Sequence, residues 1–270
     1  MSVVWITGAS SGLGLYTAQA LQAAGWQVVG GARSFTVAEE PGFLRLPLDV
    51  TDEDSARAFV QHAQAHFGPP DALVNAAGIL ILGACGDYSA QELARVMDTN
   101  FHGMARMVRL ALPLMLEHGT GRIVNYSSVN GLLATPFQGA YSASKHAVEG
   151  YSEALRMELA PHGIQVMVVE PGDHRGGQPQ YRARSAARDA RYQAAYDATC
   201  AAIARDEAQG GDPARLGRKV AAALRRSRLP ARLRVTRLPE TAAVVLHDLL
   251  PSNWFLKLLS LYYGAGKRST

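Results

Sequence analysis

Short apolar runs rich in β-branched residues alternate with stretches of helical spacing through most of this 270-residue chain. That alternation is typical of βαβ units, whose strands lie parallel in one sheet. We predict helices near 12–24, 52–67, 89–118 and 138–161. The predicted strands are Ser2–Thr7, Gln27–Gly31, Phe43–Leu48, Ala72–Asn75, Gly121–Ser127, Ile164–Glu170 and Leu233–Thr236. The pattern therefore predicts a doubly wound α/β fold with a mainly parallel, seven-stranded sheet and helices on both faces.

Helix ends are marked by capping residues. Asp52 and Ser89 stand where N-caps belong, and Gly119 and Gly163 stand where helices stop. Pro113 falls inside the third helical stretch and favours a kink there.

No linker or shift in composition divides the chain, so we predict one domain over residues 1–270. The regular alternation breaks at residues 173–230, where alanine and arginine dominate and glycine pairs occur at 176–177 and 210–211. We predict that this segment is a helical insertion, without strands, between the sixth and seventh strands.

Composition excludes several classes of protein. A hydrophobic content of 48% with 19% charged residues is typical of a soluble globular protein. Cys85 and Cys200 lack metal-ligand or disulfide spacing, so we expect no metal site. No window is apolar enough for a membrane span, and the first residues lack a basic leader. We therefore predict a cytoplasmic protein with no transmembrane segment.

The chain has a net charge of +4, and its arginines are most frequent between Arg175 and Arg237. No interleaved aromatic residues or known binding motif accompany these arginines, so we expect no nucleic-acid partner.

A glycine-rich turn follows the first predicted strand and opens the first helix. It reads Thr7-Gly8-Ala9-Ser10-Ser11-Gly12-Leu13-Gly14. Glycines allow a phosphate to approach the backbone closely, and a helix N-terminus offers it free N–H groups. A plain strand-to-helix turn would have similar residues. The position after the first strand favours nucleotide binding and a Rossmann-type fold.

The end of the second strand indicates which nucleotide is bound. An acidic residue there would hydrogen-bond the ribose of NAD, whereas arginine pairs with the 2′-phosphate of NADP. Here the chain has no carboxylate and reads Ala32-Arg33-Ser34. An ordinary surface arginine would look the same. The missing carboxylate favours NADP(H), with NAD(H) possible.

Tyr141 and Lys145 lie four residues apart in a predicted helix and so share one face. An ammonium beside a phenol lowers the pKa of the phenol, which can then exchange a proton near neutral pH. Lys145 precedes every other lysine in a chain that otherwise uses arginine up to Lys219, which indicates a need for a compact ammonium.

Together these motifs resemble the short-chain dehydrogenase/reductase family over roughly residues 2 to 172. Further matching motifs are Asp49-Val50, Asn75-Ala76-Ala77-Gly78, Asn100, Ser128 and Pro171-Gly172. The resemblance implies a catalytic tetrad of Asn100, Ser128, Tyr141 and Lys145, with Ser128 preferred to Ser127 by its spacing from the tyrosine.

The resemblance also implies a cofactor-binding set. It consists of Gly8, Ser10, Ser11, Gly12, Leu13, Gly14, Arg33, Ser34, Asp49, Val50, Asn75, Ala76, Ala77, Gly78, Tyr141, Lys145, Pro171 and Gly172. In the family Tyr141 would exchange the proton, Ser128 would bind the substrate oxygen, Lys145 would hold the ribose and Asn100 would position a water. Family members commonly form homodimers or homotetramers, so we expect one of these.

Two departures from the family pattern matter. Ala76 replaces an asparagine in the motif after the fourth strand. The hydroxyl that often anchors nicotinamide after Pro171-Gly172 is missing, since the chain continues Asp173-His174-Arg175. Backbone groups or Arg175 compensate, or nicotinamide is held less firmly.

Apolar residues beside the predicted site indicate a hydrophobic carbonyl or alcohol substrate. They are Ile79–Leu82, Leu132-Leu133 and Pro136-Phe137, of which we expect about half to be core. The apolar run from Pro251 to Tyr263 covers the pocket, packs on another subunit or touches a membrane, the last being disfavoured by a single cation, Lys257. We predict an NADP-dependent oxidoreductase; the alternative is a catalytically weak nucleotide-binding sensor or scaffold.

Overall fold

The computed structural model describes residues 1–175, 182–186 and 189–266. Its strands are β1 (Val3–Thr7), β2 (Gln27–Ala32), β3 (Ala38–Glu40), β4 (Phe43–Pro47), β5 (Ala72–Asn75), β6 (Leu80–Leu82), β7 (Gly121–Tyr126), β8 (Ile164–Pro171), β9 (Arg182–Arg184) and β10 (Arg232–Val235). Eight of them form one sheet in the order β10-β8-β7-β5-β1-β2-β4-β3.

The seven predicted strands all occur and all run parallel, which confirms the doubly wound α/β class. The sheet has an eighth strand that we did not predict. This strand, β3, pairs antiparallel with β4 at the edge, and its three residues are exposed. An exposed strand needs no apolar alternation, so its sequence carries no strand signal.

The helices are α1 (Gly12–Ala23), α2 (Glu53–Phe67), α3 (Ala90–Met97), α4 (Gly103–His118), α5 (Gly139–Leu159), α6 (Gln193–Ala208), α7 (Pro213–Leu224), α8 (Leu238–Leu249) and α9 (Ser252–Tyr263). The stretch predicted as one helix over 89–118 is α3 and α4 joined by a π-helical turn at Asp98–His102. Pro113 lies inside α4, which continues to His118.

The predicted caps are confirmed. Asp52 accepts a hydrogen bond from the Ser55 backbone N–H at 2.7 Å, and Ser89 forms a capping box with Glu92. Gly119 has a left-handed backbone, with φ of 71°, directly after α4. These groups satisfy backbone donors and acceptors that a helix end leaves without partners.

Alternate residues of each parallel strand point to opposite faces of the sheet. On one face, Trp5, Leu73 and Ile123 pack in the cluster that also contains Phe59 of α2 and Met107 of α4. On the other face, Ile6, Val74 and Val124 share a cluster with residues of α1 and α7, including Leu21 and Leu216. The sheet therefore lies between two apolar layers, as predicted.

The segment predicted as a helical insertion is helical at α6 and α7, and its glycine pair at 176–177 lies outside the described residues. The prediction of no strand there was wrong. β9 pairs parallel with β6, Leu80 opposite Arg182 and Leu82 opposite Arg184. A three-residue strand with arginine at both ends has neither the length nor the apolar content that marks a buried strand.

The order of the parallel strands reverses between β1 and β5, which are neighbours in the sheet. At such a switch point, the loops after adjacent strands diverge and leave a crevice at the carboxyl ends of the strands. The glycine-rich turn after β1 and the Asn75-Ala76-Ala77-Gly78 motif after β5 meet there. Among the described residues, no helix is both long and apolar enough to cross a membrane.

Candidate active site

The glycine-rich turn is packed so tightly at Gly8 and Gly14 that side chains would not fit there. Gly8 has φ of 71°, and a Cβ on it would lie 2.8 Å from the Ala77 backbone nitrogen. A Cβ on Gly14 would overlap the Gly8 carbonyl oxygen. The Ser11 side chain caps none of the N–H groups of α1, and the first turn of α1 contains no acidic residue. These groups line the cleft, and their donors and space fit a pyrophosphate.

Thr7 fixes this turn, a role that the sequence interpretation missed. Its hydroxyl accepts hydrogen bonds from the backbone N–H groups of Ala76 and Ala77, at 3.2 and 3.1 Å. Thr7 is 1% exposed, so its hydroxyl ties the turn after β1 to the turn after β5 inside the protein. A threonine at the end of a buried strand is the signal that could have revealed it.

Asn75 and Pro171, both in the predicted cofactor set, do not line the cleft. The amide nitrogen of Asn75 donates to Asn125 Oδ1 at 2.9 Å, and the amide nitrogen of Asn125 donates to Ser152 at 2.9 Å. These hydrogen bonds connect β5, β7 and α5, so Asn75 supports the turn after β5 from inside the protein. The other members of the set do line the cleft.

Arg33 and Ser34 are exposed and lie at the cleft end beyond β2. The nearby carboxylate is Asp49, which accepts hydrogen bonds from the Thr51 backbone N–H and hydroxyl at 2.9 and 2.7 Å. Burial raises the pKa of Asp49, but these bonds and the charge of Arg33 outweigh it and hold that pKa below its ordinary value. This end of the cleft therefore combines an exposed guanidinium, a hydroxyl and an ionised carboxylate.

Ser128, Tyr141 and Lys145 line the same cleft. The Lys145 ammonium lies 5.6 Å from the centroid of the Tyr141 ring. Ser128 lies half-buried at the end of β7, where its hydroxyl accepts from the Asn130 N–H at 3.1 Å. The neighbouring Ser127 is buried, and its hydroxyl faces the Lys145 backbone carbonyl. The structure thus brings together the three predicted groups on α5 and β7.

Lys145 is 4% exposed, and its ammonium donates to the Tyr126 backbone carbonyl at 2.7 Å. Burial lowers the pKa of Lys145 from 10.5 to about 8, although the negative charge of Glu149 raises it. A lysine that loses its proton this near neutral pH can change charge in the working range of an enzyme.

Asn100 lies in the π-helical turn and is 2% exposed. Its side chain accepts from the Ile79 N–H at 2.8 Å, and donates to the Ile79 carbonyl and to Ser144, both at 2.9 Å. It does not line the cleft but lies behind it. Asn100 therefore joins the segment after β5 to α5, which carries Tyr141 and Lys145.

An ionic cluster with two buried carboxylates lies behind Lys145 and was not predicted. Glu149, one turn after Lys145, receives a hydrogen bond from Arg232 of β10 at 2.7 Å. Arg232 also bonds Glu153 and the fully buried Glu170. Burial raises the pKa of Glu149 despite the lowering effects of Ser127 and Arg232. The sequence does not indicate this cluster, because its members come from three distant segments.

The segment after Pro171-Gly172, where the family hydroxyl is missing, is held by Glu240 of α8. The Asp173 N–H donates to Glu240 at 3.2 Å, and a Cβ on Gly172 would overlap the same carboxylate. Arg237 bonds Glu240 in turn, at 2.9 Å. Glu240, Arg237 and the exposed Arg175 all line the cleft. The polar groups at this position are therefore charged side chains rather than a hydroxyl.

The cleft has a volume of about 670 Å³, and part of its lining is apolar, beside the charged side chains of Arg237, Glu240, Asp206 and Glu207. Of the apolar residues predicted beside the site, Ile79, Leu80 and Leu133 line it. Phe137 packs instead on Tyr196, with ring centroids 5.5 Å apart. The apolar C-terminal run forms α9 and lines the cleft through Phe255, Leu258, Leu259, Tyr262 and Tyr263, which confirms that it covers the pocket.

Comparisons with known proteins agree with this geometry. The family model described as short chain dehydrogenase matches residues 2–180. A 3-ketodihydrosphingosine reductase of Bacteroides thetaiotaomicron is 36% identical over 264 residues, 97% of each chain.

Two solved structures are also similar. A short-chain dehydrogenase from Streptomyces avermitilis superposes with a TM-score of 0.82 at 31% identity, covering 97% of this chain and 98% of the other. The structure named ElxO with NADP bound has a TM-score of 0.61 at 30% identity, covering 64% of this chain and 74% of the other. The chain therefore belongs to the short-chain dehydrogenase family and is an oxidoreductase that acts on carbonyl or alcohol groups of small molecules.

Proposed function

We propose that this protein is an NADPH-dependent reductase of a long-chain lipid ketone. The observation that carries the proposal is the single cleft on which Ser128, Tyr141 and Lys145 open, with Arg33 at one end and the apolar side chains of α8 and α9 at the other. One end suits a phosphorylated dinucleotide, and the other suits an alkyl chain.

The three polar groups supply proton transfer and orientation. The Tyr141 phenol donates a proton to the ketone oxygen, and the Ser128 hydroxyl donates a hydrogen bond to the same oxygen. Lys145, while charged, favours the phenolate that remains, and it holds the ribose through hydrogen bonds. Asn100 keeps α5 and the segment after β5 in register behind them. When bound, the nicotinamide supplies the hydride.

The preference for NADPH rests on the end of β2. Arg33 and Ser34 line the cleft there, and the β2 end itself offers no carboxylate to a ribose 2′-hydroxyl. A guanidinium is suited to a 2′-phosphate, whereas a carboxylate directly after β2 would repel one; the carboxylate at this end of the cleft, Asp49, follows β4 and accepts hydrogen bonds from Thr51. NADP is the cofactor printed for one similar structure.

The substrate class rests on the apolar end and on one relative. Phe255, Leu258 and Leu259 of α9 lie on the cleft with Leu246 of α8. The relative that matches over 97% of both chains has a name describing reduction of 3-ketodihydrosphingosine, a long-chain ketone. An alkyl chain in this cleft would gain roughly 0.8 kcal/mol for each buried methylene.

The test is a substrate panel with purified protein, NADPH and ketones of increasing chain length presented in detergent micelles. We expect kcat/KM to rise with chain length until the apolar end is filled. Tyr141→Phe keeps the ring but removes the proton, so its turnover should fall about 10²–10⁴-fold while NADPH still binds. Equal rates on short and long ketones, or near-normal turnover of Tyr141→Phe, would overturn the proposal.

A further inference from the structure

The outward sides of α8 and α9 carry exposed apolar side chains next to the cleft. Apart from Leu256, which is 54% exposed on the opposite side of α9, they are Leu238, Val245, Leu246 and Leu249 on α8 and Trp254, Leu258, Leu261 and Tyr262 on α9. We refer to these eight residues as the α8–α9 patch. With 3.6 residues per turn, each set lies on one side of its helix. Grouped exposed apolar residues of this kind mark interaction surfaces, whereas single ones are ordinary.

The patch and the cleft share side chains. Leu246, Leu258 and Tyr262 are exposed and also line the cleft, so the patch borders its mouth. The two helices hold each other through the buried Val244 and Phe255, which pack in one cluster. A protein partner held permanently on the patch would cover this mouth. A bilayer surface would bury the same side chains and leave the acyl chain of a lipid a continuous apolar path into the cleft.

The charges of the two helices indicate how such contact would be made. Besides His247 and two tyrosines, the ionisable groups of the two helices are Glu240, Asp248 and Lys257, so the helices themselves carry no cationic surplus for anionic lipids. The single cation Lys257 disfavours electrostatic contact with a membrane, so any such contact depends on insertion of apolar side chains. Trp254, which is 71% exposed, has the amphipathic ring that settles at the level of lipid headgroups, whereas the Tyr262 hydroxyl donates to Asp206 at 2.9 Å.

We propose that the α8–α9 patch docks this protein on the surface of a neutral phospholipid bilayer, from which the long-chain ketone enters the cleft. The inference rests on the proposed function for the identity of the substrate, while docking itself is measured without substrate.

Trp254 reports docking directly. It is 71% exposed, whereas Trp5 and Trp26 are 0% and 7% exposed and give a constant background. On addition of phosphatidylcholine vesicles to the full chain, we expect a blue shift of the emission and quenching when the lipid acyl chains are brominated. Both effects should persist at high salt, because they depend on apolar burial.

The double variant Leu249→Ser/Leu261→Ser keeps Trp254 and changes two patch residues that do not line the cleft. We expect vesicle affinity to fall on the order of tenfold to a hundredfold. Reduction of a short, water-soluble ketone should stay unchanged, while reduction of a long-chain ketone in vesicles should fall in proportion to affinity. Met157→Ser, at a 72% exposed position on α5, is the matched control and should change neither.

Failure of docking and failure of the proposed function look different. Unshifted Trp254 emission in vesicles, or a concentration-dependent dimer in sedimentation that the double variant abolishes while vesicles bind neither form, would overturn the bilayer proposal. Vesicle binding with no reduction of any long-chain ketone would instead overturn the proposed function and leave docking supported.

Discussion

At the scale of single residues, exposure distinguishes two cations of the cleft. Arg33 is exposed at the dinucleotide end, whereas Lys145 is almost completely buried beside Tyr141. An exposed guanidinium acts as a pairing group for a ligand that arrives from water, and a buried ammonium responds to the groups packed around it. Each residue therefore has its own measurable consequence.

Arg33→Ala should weaken NADPH binding and leave NADH binding nearly unchanged. A hydrogen bond to a charged group contributes about 1.5–3 kcal/mol, and exposure favours the lower limit, so we expect a loss of roughly tenfold. Fluorescence titration of both cofactors at two salt concentrations measures this, because a partly exposed phosphate contact weakens with ionic strength. Equal affinities of the wild-type protein for both cofactors would show that Arg33 is only a surface residue.

Lys145 should make cofactor binding depend on pH. Burial lowers its pKa to about 8, so the free enzyme loses the ammonium above that pH rather than near 10.5. We expect NADPH affinity to fall as pH rises through about 8. The chain has four lysines, so ¹³Cε labelling would resolve Lys145, assigned by its loss in Lys145→Met.

Glu149→Gln should lower the pKa of Lys145 further, because the charge of Glu149 raises it. The matched control is Glu153→Gln, which also removes a carboxylate bound to Arg232 but an exposed one. A Lys145 resonance that titrates identically in wild type and Glu149→Gln would contradict the electrostatic link between them.

At the scale of elements, the long buried strands could be predicted from the sequence, whereas the short or exposed strands could not. The seven parallel strands were predictable because burial on both faces forces apolar, β-branched residues into each of them. The three-residue strands β3, β6 and β9 were not, since β3 is exposed, β9 carries arginine, and β6 is too short for a strand pattern to show. The π-helical turn at Asp98–His102 keeps helical spacing on either side, so periodicity alone reads α3 and α4 as one helix.

The candidate site was also predictable only in part. Strand-end motifs identified Ser128, Tyr141 and Lys145, because the parallel topology brings strand ends to one edge. The α8 and α9 residues on the cleft, and the Arg232 cluster, come from distant segments whose meeting depends on the whole fold.

Gly14→Ala should disturb the junction between β1 and α1. The added Cβ overlaps the Gly8 carbonyl oxygen, so the turn must shift, at a cost of about 1–3 kcal/mol. NADPH affinity should fall with it. Gly150→Ala in α5 is the matched control, since a Cβ there meets nothing within 4 Å and should stabilise by roughly 0.5–1 kcal/mol. Thermal unfolding with and without NADPH measures both. Equal stability of the two variants would argue against close packing of the turn.

At the scale of the whole molecule, Arg232 links the last strand to the active-site helix. It bonds Glu149 on α5 and Glu170 on β8, while Arg234 bonds the other carboxylate oxygen of Glu170 at 2.7 Å. The edge strand β10 leads into α8 and α9, which close the cleft. The predicted homodimer or homotetramer stays a prediction, and this link acts within one chain.

Arg232→Met should therefore destabilise the whole fold. Removing one partner of a buried ion pair costs about 3–5 kcal/mol, and because Arg232 is 35% exposed we expect about 2–3 kcal/mol. Burial already raises the pKa of Glu149, and loss of Arg232 raises it further. The loss of stability should thus be full above that raised pKa and shrink as pH falls toward the ordinary carboxyl value, where Glu149 is neutral in both folded and unfolded chains.

Urea unfolding at neutral and acidic pH measures the difference. Arg218→Met, which breaks an exposed pair with Asp212, should cost less than about 1 kcal/mol at either pH. A pH-independent loss in Arg232→Met would mean that Arg232 stabilises the fold by packing of its side chain rather than by its charge.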